Sequence, residues 1–235
     1  MRAEILFPEV CNLYGDLQNV YYLQRCCPAL EIVETDLKSK PRFLEEDVTL
    51  VFMGSTTEQG LKLAADALRP YQEAIAAKVD AGQLFLATGN ALDILGDAID
   101  SDAAERIDGL GLLPTRAEYH MMQRHNSFFV GKFEDMDIVG FKSLFGHSHG
   151  MGDALFDTVK GVGRDGTPQS GEGFRRGGLM ATYLIGPLLI LNPPLCKWLL
   201  RQMGAGDTLA FEEAAMEAYR VRVAEFSDAH RDPIY

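Results

Sequence analysis

Leu84-Phe85-Leu86-Ala87 runs straight into Thr88-Gly89-Asn90, and an apolar helical pattern, Ala91-Leu92-Asp93-Ile94-Leu95-Gly96, follows at once. This is the order of a buried strand, a tight turn and a helix start. It predicts a strand over Gln83–Ala87 and a helix over Ala91–Ile99. In an open α/β sheet such a turn lies at the carboxyl end of a strand, where ligands usually bind. Enzymes that place a nucleophile there expose it above the sheet and aim backbone N–H groups at the developing oxyanion. Here the turn has no Cys, and Gly89 stands where a nucleophile is expected.

The units on either side repeat the theme. Ala3–Phe7 reads as a first strand, stopped by Pro8, and Asp16 is a good N-cap for a helix over Leu17–Cys26. Glu31–Asp36 alternates as a short strand, and Val48–Phe52 reads as a buried one. Thr56 or Thr57 can cap a long helix carrying Leu61, Ala64 and Leu68, which Pro70 kinks or breaks. Strands alternating with helices predict an α/β fold, a largely parallel central sheet with helices on both faces. Further on, Tyr119–Phe133, Asp137–Phe145 and Leu155–Val162 read as antiparallel additions to that sheet. The Gly-rich stretch 164–178 predicts a mobile loop, and Leu179–Leu184 a last strand. Helices then start at Asn192-Pro193 and at Thr208, the latter with a packed stripe of Phe211, Ala215, Ala218, Tyr219 and Val223. No repeat or linker divides the chain, so residues 1–235 are expected to form one domain.

The charge sum restricts the partners. Against 22 Lys and Arg stand 34 Asp and Glu, a net −12, which argues against nucleic acid and anionic membrane surfaces. The longest apolar stretch, Leu184–Leu191, is interrupted by Gly186 and Pro187 and cannot span a bilayer. Met1–Phe7 is too brief for a signal-peptide core, so a cytoplasmic protein is expected. Cys11, Cys26, Cys27 and Cys196 lack metal-site spacing. Reduced, mostly buried thiols are expected, with no metal and no cofactor.

Six separated stretches, taken in order, resemble the class I glutamine amidotransferase family. The branch they resemble most is that of the cobyric-acid-synthase-type and lipid II isoglutaminyl synthase glutaminase subunits. They are Asn12-Leu13-Tyr14-Gly15-Asp16 with Asn19; Gly54 with Glu58-Gln59; the Thr88–Gly96 turn; Gly109-Leu110-Gly111-Leu112-Leu113; Gly140-Phe141; and Thr182-Tyr183-Leu184 with Gly186-Pro187 and Asn192-Pro193. The resemblance implies a flavodoxin-like three-layer sandwich and a glutaminase docked on an amide-forming synthetase, with a Mur-ligase-like enzyme the first expectation. In that family a Cys on the turn attacks the carboxamide of glutamine, and a His after T-Y-L is its base. Those positions fall on Gly89 and Ile185. Gly has no side chain to attack with and Ile cannot take a proton. The family's G-F-E-N-H run continues here as Lys142-Ser143, and its glycine-rich turn reads Phe52-Met53-Gly54-Ser55. The expectation is a binding or partner subunit without the family's glutaminase chemistry.

Pocket candidates are Asn12, Tyr14, Asp16, Gly54, Ser55, Thr88, Gly89, Asn90, His147 and His149. A second reading keeps catalysis through rebuilt groups on the loop Phe145–Asp153, where His147 and His149 form an H-x-H pair. Two imidazoles alone do not make a metal site, and a solvated loop is the plain reading of that stretch. Met121-Met122 with Phe128-Phe129 suits either a core or a partner surface.

Overall fold

The computed structural model describes residues 1–235. Its strands are β1 (Arg2–Leu6), β2 (Glu31–Thr35), β3 (Leu50–Met53), β4 (Leu84–Thr88), β5 (Ala98–Ser101), β6 (Ile107–Asp108), β7 (Thr115–Tyr119), β8 (His125–Phe133), β9 (Met136–Leu144), β10 (Gly146–Gly150), β11 (Asp157–Lys160), β12 (Phe174–Arg176) and β13 (Leu179–Thr182). Its helices are α1 (Gln18–Cys26), α2 (Glu58–Leu68), α3 (Gln72–Asp80), α4 (Ala91–Ile94), α5 (Leu188–Leu191), α6 (Pro193–Gln202) and α7 (Glu212–Ser227).

The central sheet has the order β12-β13-β4-β3-β1-β2. Every neighbouring pair in it is parallel except β12 with β13. Strand alternation divides the core between its two faces. Val51, Met53, Phe85, Ala87, Leu179 and Ala181 join one apolar cluster with Leu61, Leu68, Ile75 and Val79 of α2 and α3. Leu50, Phe52, Leu86 and Met180 point the other way, to Val20 and Leu23 of α1 and Leu195 and Leu199 of α6. The expected α/β sandwich, with helices on both sides of a largely parallel sheet, is therefore present. No helix is long and apolar enough to cross a membrane.

Glu4 of β1 breaks the apolar pattern and is fully buried. Its carboxylate accepts from Thr35 Oγ1 (2.6 Å), from the Arg42 N–H (2.7 Å) and from the Phe43 N–H (2.7 Å). A buried carboxylate needs this saturation, because an unpaired one would lose its hydration without replacement.

The antiparallel strands do not extend the central sheet as expected. They form a sheet of their own, β11-β8-β9, beside a second, mixed sheet, β10-β7-β5-β6, in which β5 and β7 run parallel. The helix expected over Ala91–Ile99 is a single turn, α4. Beyond it the Asp97 N–H donates to the Thr115 carbonyl (2.8 Å), and β5 pairs with β7. Sheet pairing has overridden local helical periodicity there. Residues 164–178, expected to be a mobile loop, are tied into the structure. Arg164 and Gly171 pair through a backbone hydrogen bond of 3.0 Å, Glu172 and Phe156 through a pair of 2.8 and 2.9 Å, and β12 closes the edge of the sheet.

The helix caps also differ from expectation. α1 has Leu17 at its N-cap, because the Asp16 side chain turns inward. α7 starts at Glu212 after Phe211, whose φ of 56° breaks the chain direction, so Thr208 is not its cap. The packed stripe of α7 is Met216, Tyr219, Val223 and Phe226, while Phe211 is 69% exposed. Phe226 stacks on Phe128 with centroids 4.6 Å apart. Phe128 and Phe129 are core residues, and Met122 is exposed.

Candidate functional site

The carboxyl ends of β3, β4 and β13 converge on one cavity of about 300 Å³. The central sheet supplies Ser55–Glu58 after β3, Gly89 and Asn90 after β4, and Tyr183 and Ile185 after β13. The facing wall comes from the smaller sheets: Tyr119, Arg124 and Ser143–Phe145. Leu13 and Tyr14 close one side. This is the position that open α/β sheets use for ligands.

Gly89 has φ +60°, the left-handed region where a side chain is strained. A Cβ built on it would lie 2.6 Å from the Ser55 Cβ, nearer still to the Ser55 Oγ, and 3.3 Å from the Ile185 Cγ2. The sharp turn is therefore kept, but Ser55 and Ile185 fill the space into which a side chain on it would project. Ser55 is held in that place from below. The Asp16 Oδ2 accepts from the Ser55 N–H (2.8 Å), the Ser55 hydroxyl and the Thr88 hydroxyl (2.9 Å). Burial pushes the Asp16 carboxyl up from its ordinary range, against these hydrogen bonds, which favour its ionised form. The approach is close enough that a Cβ on Gly54 would meet the Cys11 carbonyl at 2.7 Å and the Asp16 Cβ at 2.9 Å.

Asn90 locks the two turns together. Its Nδ2 donates to the Thr56 carbonyl (2.8 Å) and its Oδ1 accepts from the Thr56 N–H (2.9 Å). Tyr14, at φ 62°, donates its hydroxyl to the Ser143 carbonyl across the cavity (3.4 Å). Of the residues singled out from sequence, Tyr14, Ser55, Gly89 and Asn90 line the cavity. Asp16 and Thr88 are fully buried, and both belong to the Asp16 network behind the lining. Asn12 accepts from the Leu17 N–H (3.2 Å) and shapes the entry to α1. Cys11 is a buried thiol, pushed up to about 12 mainly by desolvation.

His147 and His149 are not on the cavity wall. They lie on β10, a strand paired with β7, where a loop was expected. The His147 ring meets His125 edge-on, with centroids 5.2 Å apart, and burial holds it down to about 4. No group of three or more His, Cys, Asp or Glu is placed to hold a metal ion. His120, on the surface, faces Asp102 at 3.4 Å.

Several residues at the cavity carried no sequence signal of their own. Arg124 lies over the Phe145 ring, 4.3 Å from its centroid, and forms no ion pair. Beneath the lining, fully buried Asp93 accepts from the Tyr119 hydroxyl (2.6 Å) and from the Tyr183 hydroxyl. Tyr119 and Tyr183 come from different sheets, so no sequence spacing could have paired them. The available signs were an Asp within an apolar helical pattern and Tyr183 within the Thr182-Tyr183-Leu184 stretch.

Desolvation raises Asp93 from 3.8 to about 7, outweighing both phenol hydrogen bonds. A raised carboxyl favours the folded state most where the unfolded chain has not yet ionised, below about 3.8. That contribution falls as pH rises and is gone above about 7. Asp93→Asn is expected to remove this slope. Thermal melts of the two proteins across that range should show the variant gaining on the wild type as pH rises. Parallel curves would assign Asp93 an ordinary carboxyl.

No family model matches the chain. It is 25% identical to the lipid II isoglutaminyl synthase (glutamine-hydrolyzing) subunit GatD of Staphylococcus aureus (strain N315), over 90% of each chain. It is 26% identical to the protein of the same name from Streptococcus pneumoniae (strain ATCC BAA-255 / R6), over 81% of this chain and 75% of that one. Among solved structures, a glutamine amidotransferase superposes with TM-score 0.58 at 14% identity, over 86% of this chain and 98% of its own. A glutamine amidotransferase from Thermotoga maritima superposes with TM-score 0.51 at 8% identity, over 97% of this chain and 90% of its own. These two structures bear on the fold, and the two relatives carry the likeness of sequence along the same length. The chain is thus similar in sequence to two subunits named as glutamine-hydrolyzing and has the fold of solved glutamine amidotransferases.

Proposed function

We propose that this chain is a single-domain, cytoplasmic subunit that binds a small ligand and a synthetase partner, and does not hydrolyse glutamine by a Cys–His mechanism. One observation carries the reading. The space above Gly89, where the resemblance puts the nucleophile, is filled by Ser55 and by Ile185, where it puts the base. Loss of a nucleophile and its base removes the step they perform together. The cavity beside them stays open, with Arg124 and Glu58 on its walls, neither in an ion pair, among the hydroxyls of Ser55, Thr56, Thr57 and Ser143. Such walls suit a small ligand carrying both an anionic and a cationic group.

The names of the two relatives describe subunits of a lipid II isoglutaminyl synthase. Their likeness supports an amide-forming, Mur-ligase-like synthetase as the partner, in cell-wall precursor metabolism. The test has two parts. Glutamate release is followed on the purified chain with glutamine, with and without the candidate synthetase. Ligand binding is measured by calorimetry with glutamine as the probe. No glutamate in either mixture, with heat of binding weakened about tenfold or more by Arg124→Ala, is the expected result. Glutamate release by the wild-type chain would overturn the reading.

The second reading, an enzyme rebuilt around His147 and His149, requires one of them to reach the ligand. Their place on β10, away from the cavity wall, favours the first.

A further inference from the structure

Next to the cavity at the ends of β3, β4 and β13 lies a second one, of about 210 Å³, between α2, β5, β6 and β7. Buried Leu61 and Ile99 line it together with partly buried Ile107 and Met121. Ala104, in the connection from β5 to β6, is exposed at its rim. Glu58, the first residue of α2, and Tyr119, the last residue of β7, line both cavities. The two spaces therefore adjoin across one carboxylate and one phenol ring.

The ring is a fixed wall. The Tyr119 hydroxyl donates to Asp93 at 2.6 Å. Behind the ring, a Cβ on Gly146 would meet the Tyr119 Cε1 at 2.7 Å, so the ring packs on bare backbone. Glu58 is partly exposed, and neither it nor Glu105, on the wall of the second cavity, makes an ion pair.

We propose that the ligand of the two cavities is a short peptide with an apolar first residue. Its N-terminal ammonium meets Glu58, its first side chain enters the second cavity, and its carboxylate meets Arg124. This rests on the reading of the first cavity as a site for a ligand with both charges, and it names the class of that ligand. The only charged group shared by the two spaces is an acid, so a cation belongs where they adjoin. In a peptide the terminal ammonium and the first side chain leave the same carbon, which puts the apolar arm beside that cation. Covering Leu61, Ile99, Ile107 and Met121 with such an arm removes apolar surface from water. An acidic arm is disfavoured twice, by the apolar lining and by Glu58 and Glu105.

Calorimetry on the full chain uses glycyl-glutamine, leucyl-glutamine and N-acetyl-leucyl-glutamine as probes, with glutamine for comparison. Leucyl-glutamine is expected to bind at least about tenfold more tightly than glycyl-glutamine, the effect of burying a leucine-sized arm. Acetylation removes the ammonium and should weaken leucyl-glutamine about tenfold. Ala104→Trp fills the rim from an exposed position and should abolish the difference between the two free dipeptides. Circular dichroism checks that the variant is folded. Equal affinity of the two dipeptides for the wild type, or a leucyl preference that survives Ala104→Trp, would overturn the inference. So would indifference to acetylation. No heat from any peptide while glutamine still binds would overturn this inference alone. No heat from the peptides or from glutamine would overturn it together with the reading it rests on.

Discussion

Gly89→Cys alone is expected to yield a less stable protein that still releases no glutamate. The added side chain meets Ser55 at 2.6 Å or closer and sits at φ +60°. Overpacking and a left-handed non-glycine residue together cost about 2–4 kcal/mol. Ile185 on the other side offers no base. Combining Gly89→Cys with Ser55→Gly and Ile185→His opens the space and supplies both groups. That triple variant should release glutamate at least about a hundredfold above the wild-type background. Denaturant melts of the single variant and a glutamate assay of both check the two halves. Activity in Gly89→Cys alone would mean that Ser55 does not obstruct the position. A folded but inactive triple variant would place the deficiency elsewhere, in the altered Lys142-Ser143 stretch or the Phe52–Ser55 turn.

Lys142→Met is expected to cost about 3–5 kcal/mol, the usual effect of stranding one partner of a buried pair. Lys142 and Glu172 form an ion pair with both side chains fully buried. Lys142 Nζ also donates to the carbonyls of Val162 (2.7 Å) and Gly163 (2.9 Å). Glu172 Oε1 accepts from the Thr182 hydroxyl (2.8 Å) and the Tyr183 N–H (2.7 Å), and so fixes the end of β13 that presents Tyr183 and Ile185 to the cavity. Adding Glu172→Gln to Lys142→Met removes the stranded charge and keeps an acceptor for Thr182 and Tyr183. The double variant should recover about 2 kcal/mol as coupling between the sites, read from urea midpoints. Additive losses would show that the pair acts as two independent packing groups. The sequence shows Lys142 only as a departure from the family's G-F-E-N-H run. Its partner lies thirty residues on, in a stretch whose glycines read as a mobile loop.

The contrast between these two sites marks what a sequence of this kind discloses. Central strands such as Leu50–Met53 and Leu84–Thr88 are legible because burial on both faces leaves near-continuous apolar runs. Gly89 and Ile185 are legible because each lies at a fixed count from a recognisable motif. Helix α4 is misread as longer because the pairing of β5 with β7 is a long-range interaction that local periodicity does not contain. His147 and His149 are misread as loop residues for the same reason, since β10 pairs with β7 across many intervening residues. Asp16 is assigned to a cap by its type, yet the Ser55 and Thr88 hydroxyls draw it into the core. Tyr119 at the end of β7, and Arg124 and Phe145 in the connections beside β8 and β9, reach the cavity from the smaller sheets, so their role depends on how three sheets pack.

That division into sheets also bears on motion. Along the seam beside the cavity, β9 meets the chain after β13 through a reciprocal backbone pair, the Phe141 N–H to the Ile185 carbonyl at 3.3 Å and the Ile185 N–H to the Phe141 carbonyl at 3.0 Å. The β8–β9 hairpin, by contrast, is paired along its whole length from His125–Leu144 to Phe133–Met136. A two-bond joint opens at lower free energy than a nine-residue ladder. Amide protons at Phe141 and Ile185 should therefore trade with deuterated solvent sooner than those in the middle of the hairpin. The two walls of the cavity would then part as stiff plates along a zip at Ile185, and a ligand held by both would slow that exchange.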